Sequence, residues 1–363
     1  MLPRSEAFKL LSNDGDFLLR LSKPDGTEKI ILSTIQKGSE FNFAIKYFKK
    51  LTIITTQTIE DLMNQQLKCS KKIWWIQHLT LTTPINRHPW ELTKQSLKFG
   101  IVLGSGAFGV VRKAELNGNK VAVKEQNESF KLLQEAILMQ KLQHQNIVKF
   151  IGITLDALPF MLVMELCLNG SLCDYLQLNY TDTGTKIKMC LDVASGLAHM
   201  HNKNIIHVDV AARNCLYSNN QVKIADFGLS RILPMGVVFV NILANENLPL
   251  RYLAPQTYQN KVLGKTTDVW SYGVMTWEIF ANCQTPPYAN NTNSQVKNQI
   301  LSGKILEFNS STPKEFSQFV INKIFNKNVT ERASMNEVVL AIENMIKDRV
   351  KKTNKEKKGK RKG

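Results

Sequence analysis

Two residues near the middle of the chain, Asp209 and Asn214, have types and a spacing that suit phosphoryl transfer. The aspartate follows an apolar run, and the asparagine comes five residues later, before a second apolar run. In such a pair the aspartate orients an acceptor hydroxyl and takes its proton, while the carboxamide holds a magnesium ion on the phosphates. Both residue types near a turn also bond local backbone without doing chemistry. The pair therefore indicates phosphoryl transfer only if phosphate-binding groups lie elsewhere in the chain.

A glycine-rich loop, 104–109, supplies such groups upstream. Glycines let a strand-turn-strand backbone close over phosphates and point N–H groups at them. A lone G-x-G-x-x-G could equally open a dinucleotide-binding unit, which continues into a helix. Here β-type residues follow Gly109, and the next strand ends in V-A-V-K, a pattern in which Lys124 pairs the α- and β-phosphates. The context therefore favours a nucleotide phosphate loop of the strand-turn-strand kind.

A lysine in that role needs a carboxylate to hold it, on a helix packed against the sheet. Residues 129–142 have helical character, and Glu135, Met139 and Leu142 are spaced i, i+4, i+7 on one apolar stripe. A carboxylate on a buried stripe is costly unless it is paired. Glu135 is therefore the expected partner of Lys124. Only ten residues separate the two, which should restrict how far the helix can swing outward.

A second metal ligand is expected downstream, where a strand runs into Asp226 and is followed by an aromatic residue and a glycine. Together with Asn214, this aspartate would hold a divalent cation on the phosphates.

These motifs, in this order and at nearly normal spacings, resemble the eukaryotic protein kinase family from 97 to 346. The resemblance implies an α+β, bilobal protein kinase fold with a small β-rich N-lobe and a large helical C-lobe. It implies ATP as phosphoryl donor and Mg²⁺ or Mn²⁺ as the metal. The implied ATP-binding residues, the last three forming the gatekeeper and hinge, are Leu103, Gly104, Ser105, Gly106, Gly109, Val111, Ala122, Lys124, Met164, Glu165 and Cys167.

Tyrosine specificity is indicated by the catalytic loop, which reads D-V-A-A-R-N from Asp209 to Asn214. Serine/threonine kinases typically place a lysine two residues after the aspartate, whereas tyrosine kinases more often use the A-A-R-N form. The resemblance thus makes Asp209, Arg213, Lys124 and Glu135 the catalytic residues and protein tyrosines the substrates. The segment P-L-R-Y, 249–252, resembles the wall that tyrosine kinases place beside the acceptor.

The first part of the chain, 1–68, resembles an SH2 domain without its opening strand, an α+β module preceding the kinase. Its run F-L-L-R-L-S is similar to the phosphate-binding strand of SH2 domains. The resemblance makes Arg20 the anchor for phosphotyrosine peptides, with Arg4 and Ser22 as helpers, because a guanidinium binds a phosphate in bidentate fashion. An arginine in an apolar strand can instead be a snorkelling edge charge. Residues 69–96 are the expected linker, and P-I-N-R-H-P-W-E-L within it resembles the same segment of Fer/Fps-type non-receptor tyrosine kinases.

Three departures from the kinase pattern fall in the C-lobe. Val208 replaces the arginine that normally binds a phosphorylated activation loop, and the loop between Ile232 and Leu250 has no Ser, Thr or Tyr. Gln256 replaces the glutamate that would pair with Arg332. We expect a kinase that is not switched by activation-loop phosphorylation, its loop held by the apolar run 237–240. The alternative is a catalytically weak kinase-like scaffold that works through binding.

Composition fits a soluble, cytoplasmic protein. The six cysteines are scattered, and no apolar run approaches a membrane span. The net charge of +17 is concentrated in the tail 347–363, which has ten Lys and Arg residues. We expect this tail to be disordered. Two more specific alternatives are attraction to an anionic membrane surface and nuclear targeting. No nucleic-acid partner is expected, because no aromatic residues accompany the charge.

Overall fold

The computed structural model describes residues 11–13, 16–22, 29–37, 39–45, 83–84, 88–106, 109–126, 128–156, 159–243 and 246–359. The chain divides into two compact units, Met1–Glu91 and Leu92–Gly363. The division falls inside the segment 69–96 that was expected to be the linker. The sequence also predicts short helices at 5–11 and 58–67, and apart from Leu11 these residues lie outside the described part of the chain.

The N-terminal unit contains a four-stranded sheet in the order β3-β2-β1-β4. Strands β1 (Asp16–Ser22), β2 (Lys29–Gln36) and β3 (Ser39–Ile45) are antiparallel, and β4 (Thr83–Pro84) runs parallel to β1. These three longer strands lie where the period of two predicts strands. Phe17 and its neighbour Leu18 are both buried, so both faces of β1 are covered at this point.

The second unit begins with a six-stranded sheet in the order β5-β9-β10-β8-β7-β6. Its core contains small and β-branched side chains from four strands, including Ala114, Val121 and Val163. The strands are β5 (Glu91–Leu92), β6 (Leu97–Gly106), β7 (Gly109–Leu116), β8 (Asn119–Glu125), β9 (Phe150–Thr154) and β10 (Met161–Glu165). Helix α1 (Ser129–Gln140) packs against β9 and β10.

The remainder of this unit is mainly helical. Its helices are α2 (Leu172–Leu178), α3 (Thr183–Asn202), α4 (Pro255–Asn260), α5 (Lys265–Phe280), α6 (Asn293–Ser302), α7 (Lys314–Phe319) and α8 (Met335–Gly359). Helix α5 is buried along nearly its whole length, and Trp270 and Tyr272 are fully covered. A β-rich small lobe followed by a large helical lobe agrees with the bilobal fold expected from the sequence.

Three short antiparallel strand pairs lie in the segments between these helices. Strand β11 (Ile205–Ile206) pairs with β14 (Arg231–Ile232), and β12 (Cys215–Ser218) pairs with β13 (Gln221–Ile224). Strand β15 (Phe239–Asn241) pairs with β16 (Val262–Gly264). These ladders fix both ends of the loop that contains Asp209 and Asn214.

The tail differs from expectation. Helix α8 continues to Gly359, through most of the segment 347–363 that was expected to be disordered. Its first part packs on α3, and in the tail Lys351 pairs with Asp348 one turn away at 3.2 Å, so the helix extends outward from a packed base. Among the described residues, no helix has the length and apolar character that would let it cross a bilayer.

Candidate active site

A three-membered ionic network lies at the junction of β8, α1 and the segment after β13. The Lys124 ammonium is 2.9 Å from both carboxylate oxygens of Glu135 and 2.9 Å from Oδ1 of Asp226. Lys124 is 6 % exposed and Glu135 is 3 % exposed, so water screens this attraction little. The structure thus shows the Lys124–Glu135 contact that the sequence predicted and adds Asp226 to it.

Burial and charge act against each other in this network. Burial alone lowers the pKa of Lys124, but the two carboxylates outweigh it and the net shift is upward. Burial would raise the pKa of Asp226, yet the nearby ammonium holds it below its ordinary value. Burial dominates at Glu135, and its pKa is raised. The lysine therefore stays cationic and Asp226 stays anionic, the states needed to bind phosphate oxygens and a cation.

The backbone around Asp226 is held in an unusual conformation. Asp226 has φ +57, a left-handed value that non-glycine residues seldom adopt. The following N–H, from Phe227, donates to Glu135 at 3.2 Å, and the Phe227 ring lies 5.4 Å from the ring of His207. Local strain of this kind persists only where the surroundings enforce it. Here it turns the Asp226 carboxylate toward Lys124.

A buried aspartate on α5 organises the catalytic loop. Asp268 accepts the backbone N–H groups of His207 at 2.7 Å and Val208 at 2.8 Å, and it also contacts the ring of His201 at 3.0 Å. The ring of His207 in turn accepts from the Asp209 N–H and contacts the Ala225 carbonyl at 3.0 Å. The backbone entering Asp209 is therefore fixed on both sides.

Asp209 and Asn214 face each other across the loop. The carboxamide nitrogen of Asn214 donates to the Asp209 carbonyl at 2.9 Å, and the Asn214 carbonyl accepts from Ala225 N–H at 2.9 Å. The second bond ties the loop to the strand that leads into Asp226. The carboxamide oxygen of Asn214 and the carboxylate of Asp226 are hard oxygen donors of the kind that Mg²⁺ prefers, so this donor set suits a divalent cation. A cation there would contact these two side chains.

Arg213 and its surroundings include residues that the sequence analysis missed. The Arg213 guanidinium bonds to Asp209 and lies over the ring of Tyr252, 4.8 Å from its centroid. Tyr252 donates its hydroxyl to Glu278 at 2.6 Å, and Glu278 also accepts the Ala212 N–H at 2.9 Å. Glu278 thus joins the catalytic loop to the P-L-R-Y segment. A signal existed, because a carboxylate within an apolar helix is costly unless it is bonded.

The glycine loop forms the turn between β6 and β7. Cβ atoms built on Gly104 and Gly106 would meet nothing within 4 Å, so the space beside these two glycines is open. Gly109 has φ +114, and a Cβ there would meet the Glu125 carbonyl at 2.1 Å, which only glycine avoids. Leu103 and Ser105 are exposed and Val111 is half-buried on the two strands. The exposed backbone of this turn therefore suits the binding of a phosphate chain.

The predicted hinge lies at the end of β10. Ala122 and Met164 are buried and directly opposite one another in adjacent strands. The Glu165 side chain is engaged with Lys149 N–H at 2.7 Å and the Lys223 ammonium at 3.0 Å, and its own N–H donates to the Lys149 carbonyl. The side chain and the N–H of Glu165 are thus already bonded within the protein. Burial raises the pKa of the Cys167 thiol to about 11, so this thiol stays protonated.

Val208 is a buried core residue in a strained backbone. It has φ +73, an outlier for a β-branched residue, and it packs in a cluster with Ile206, Leu233 and Leu263. Val240 and three other half-buried apolar residues of the activation segment pack on this cluster. Val237 and Val238 are exposed. The run 237–240 therefore makes its expected apolar contact through Val240, and its backbone is held by the pairing of β15 with β16.

Gln256 contacts Arg332, the residue with which a glutamate at this position would usually pair. The Arg332 guanidinium is 3.3 Å from Oε1 of Gln256 and also donates to the carbonyls of Thr266 and Asn326. It lies over the ring of Trp270 at 5.2 Å. Burial lowers the pKa of Arg332 to about 10, since none of these partners is an anion.

The predicted phosphotyrosine anchor cannot be placed in the same detail. The backbone of Arg20 and Ser22 lies in β1, where Arg20 pairs with Ile31 of β2. The side chains of both, and all of Arg4, lie outside the described residues.

Comparison with known proteins gives a family match and a set of relatives. A model of the family "Protein tyrosine and serine/threonine kinase" matches residues 97–342. Fer-related kinase 1 of Caenorhabditis elegans is 31% identical, with 93% of this chain and 90% of that protein aligned. Human tyrosine-protein kinase Fer is 32% identical over 88% of this chain, and the Fps transforming protein of Fujinami sarcoma virus is 32% identical over 86%. The chain spans only 40% and 37% of those two relatives.

Proposed function

The chain belongs to the protein tyrosine and serine/threonine kinase family, and on that premise we propose that it transfers the γ-phosphate of ATP to tyrosine hydroxyls of proteins as a non-receptor tyrosine kinase. The observation that carries the proposal is the contact of Lys124 with both Glu135 and Asp226, beside a catalytic loop that presents Asp209. The Fer and Fps relatives support an ATP-dependent tyrosine kinase, and nothing in the comparisons favours a kinase-like scaffold.

Each polar residue has a distinct part in this proposal. Bound ATP and its divalent cation supply the phosphoryl group and neutralise charge that develops on it. Lys124 holds phosphate oxygens, and Glu135 holds Lys124. Asp209 orients the tyrosine hydroxyl and takes its proton, while Arg213 fixes the Asp209 carboxylate. Asn214 and Asp226 hold the cation, as Mg²⁺ or Mn²⁺.

The test is phosphotransfer to a poly(Glu,Tyr) substrate by wild type and by Asp209→Asn. Loss of the proton acceptor should lower turnover by about 10²–10⁴-fold. Asp348→Asn makes the same chemical change on the exposed part of α8 and is the matched control, expected to keep full turnover. Equal low turnover in wild type and Asp209→Asn, with nucleotide binding intact, would instead favour the scaffold.

A groove of about 400 Å³ beside the P-L-R-Y segment suits the substrate peptide. Leu248, Leu250 and Leu253 give it apolar lining. Lys261, Lys297 and Glu246 also line it, and the Glu246 carboxylate is paired with Arg231. We expect peptides with acidic and aliphatic residues near the tyrosine to be phosphorylated best. A peptide with its acidic residues changed to lysine should have a raised KM, and an unchanged KM would contradict this assignment.

We propose that the kinase is regulated without activation-loop phosphorylation, and the apolar cluster around Val208 supports this. A buried arginine at this position needs a phosphate partner, whereas valine packs with Leu233 and Leu263 and costs no unpaired charge. Val240 adds an apolar contact from the activation segment. We expect enzyme treated with phosphatase to keep its turnover. Inactivation of the enzyme by phosphatase would refute this.

A phosphotyrosine-binding role of the N-terminal unit rests on the resemblance of β1 to an SH2 strand. The alignment with Fer-related kinase 1 covers 93% of this chain, which is more than the kinase segment and the tail together, so it includes most of this unit. Arg20 is the proposed anchor, helped by Arg4 and Ser22. Titration with a phosphotyrosine peptide should show weaker binding for Arg20→Ala but not for Lys37→Ala, an exposed cation of the same unit. Equal affinity of all three proteins would exclude the pocket.

We propose a cytoplasmic location in which the basic tail, 347–363, contacts anionic membrane surfaces. Each basic residue near such a surface contributes roughly 1 kcal/mol. Sedimentation with phosphatidylserine vesicles should be strong for the full chain and weak for a chain ending at residue 346. Equal sedimentation of both, or equal binding to neutral phosphatidylcholine vesicles, would remove this role.

A further inference from the structure

A lysine in the first turn of α3 is buried without an anionic partner. Lys186 is 6 % exposed, and its ammonium lies 5.9 Å from the centroid of the Phe280 ring, near the outer limit of a cation–π contact. Within the described part of the chain, no carboxylate forms an ion pair with this ammonium. A buried charge is costly unless an anion or a hydrogen-bonding partner replaces the lost water. The position of Lys186 therefore calls for a partner.

The acidic residue nearest to this lysine in sequence, Asp182, is already bonded as the N-cap of α3. Its Oδ1 atom accepts the backbone N–H groups of Gly184 at 2.8 Å and Thr185 at 3.1 Å, and its Oδ2 atom accepts the Thr185 hydroxyl. Asp182 attracts Lys186 through space, but burial outweighs this attraction and lowers the pKa of the lysine. The carboxylate that caps the helix is thus not the bonded partner of the ammonium.

Lys186 lines a cavity of about 420 Å³, which lies between the end of α2, the start of α3 and the loop after α5. The side chains of Asn282 and Gln284 line the same cavity, and neither carboxamide forms a hydrogen bond with another described residue. An ammonium and a carboxamide NH₂ group are both hydrogen-bond donors. The cavity therefore has three donor groups without a partner, and its volume is that of a small-molecule site.

Two large apolar side chains in the lining of this cavity are exposed. Leu178 ends α2 and is 83 % exposed, and Tyr180 in the following loop is 96 % exposed. A ligand that covers them would remove apolar surface from water, which favours binding. The cavity thus combines a cation and neutral donors with apolar surface, so it suits a ligand that has an anionic group and an apolar body.

The charge of the lining favours a carboxylate over a phosphate as the anionic group. A carboxylate has a single negative charge and two oxygens that accept several hydrogen bonds, which matches one ammonium and two carboxamides. A phosphate monoester has nearly two negative charges at neutral pH. The second charge would meet Asp182, which also lines the cavity, and no second cation lies in the lining.

We propose that this cavity binds an organic carboxylate with a small apolar or aromatic body. The carboxylate accepts hydrogen bonds from Lys186, Asn282 and Gln284, and the apolar body lies against Leu178 and Tyr180. The bound anion provides the counter-charge that the lysine lacks. The site shares no residue with the groups proposed for phosphoryl transfer, so it does not depend on that function.

Titration of the full chain with benzoate, followed by saturation-transfer difference NMR of the ligand, tests the proposal. Benzamide has a similar shape without the charge and should bind more weakly. Lys186→Gln should weaken benzoate binding by roughly tenfold or more, because a hydrogen bond between two charged groups is lost. Lys203→Gln removes an exposed lysine at the other end of α3 and is the matched control, expected to bind benzoate as the wild type does.

A second variant, Asp182→Asn, keeps the test decisive if Lys186→Gln folds poorly. Asparagine caps a helix as well as aspartate does. Loss of the negative charge in the lining should tighten benzoate binding by about two- to fivefold. The proposal is overturned if the wild type binds benzoate and benzamide equally, if Lys186→Gln keeps wild-type affinity for benzoate, or if Asp182→Asn does not bind benzoate more tightly.

Discussion

Changing Gln256 to glutamate should stabilise the helical lobe, because Arg332 is a buried cation without an anionic partner. Arg332 is 5 % exposed, and its contact with Gln256 Oε1 is long, at 3.3 Å. The other amide atom of Gln256, Nε2, is buried with no hydrogen-bond partner among the described residues. Glutamate replaces this unbonded donor with an acceptor and places a carboxylate beside the guanidinium.

The magnitude follows from three contributions. A hydrogen bond to a charged group contributes about 1.5–3 kcal/mol, and removing an unbonded buried donor recovers about 1–3 kcal/mol. Desolvation of the new carboxylate costs several kcal/mol. The desolvation cost of Arg332 does not change, because Arg332 is already buried in the wild type. We expect a net gain of about 2 kcal/mol in the free energy of unfolding. For a domain of this size the melting temperature should rise by about 4–8 °C.

Thermal melting of the full chain, followed at several pH values, measures this gain. Arg332 should hold the folded-state pKa of the new carboxyl below its unfolded value. The gain is then complete at neutral pH and is lost as pH falls through the folded pKa. Gln256→Met removes the unbonded amide without adding charge and is the matched control. A fall in melting temperature for Gln256→Glu, or an equal rise for Gln256→Met, would refute the ion-pair reasoning.

Three further predictions concern stability. Lys124→Met leaves Glu135 and Asp226 without their cation and should cost about 3–5 kcal/mol in thermal or urea unfolding; an unchanged midpoint would contradict the buried network. Val208→Arg places an unpaired charge in an apolar cluster and should cost at least about 3 kcal/mol, so a melting temperature equal to wild type would show that the cluster admits water. Asp182→Ala removes the N-cap of α3, where Asp182 accepts two backbone N–H groups, and should cost about 1 kcal/mol at neutral pH. The Thr185 hydroxyl and N–H hold the pKa of Asp182 below its ordinary value, so the difference should vanish as pH falls through that pKa, and a difference independent of pH would exclude the carboxylate as its source.

Sequence reasoning succeeded where local pattern and a general energetic rule agree. Glu135 could be matched to Lys124 because a carboxylate on a buried helical stripe needs a cation, and the 2.9 Å contacts are the result. The strands on either side of the glycine loop were predicted from the β-type residues that flank it, and within the loop Gly109 has a backbone conformation that other residues seldom adopt.

It failed where partners are chosen by tertiary packing. Glu278 bonds Ala212 and Tyr252, which are 66 and 26 residues away, and no local pattern identifies such partners. The left-handed backbone of Val208 is set by two bonds to Asp268, and propensity alone would argue against it.

The burial of Phe227 has a consequence for inhibitor selectivity. The ring is 1 % exposed, and its N–H is bonded to Glu135 at 3.2 Å. An inhibitor that requires Phe227 to leave its buried position must expose the ring, which costs about 1.5–3 kcal/mol. It must also break the hydrogen bond from the Phe227 N–H to Glu135, which costs about 0.5–1.5 kcal/mol. The conformation such a compound selects is then populated at between roughly one part in thirty and one part in two thousand, and its apparent affinity falls by the same factor. Compounds that leave Phe227 in place bind the prevailing conformation at full strength.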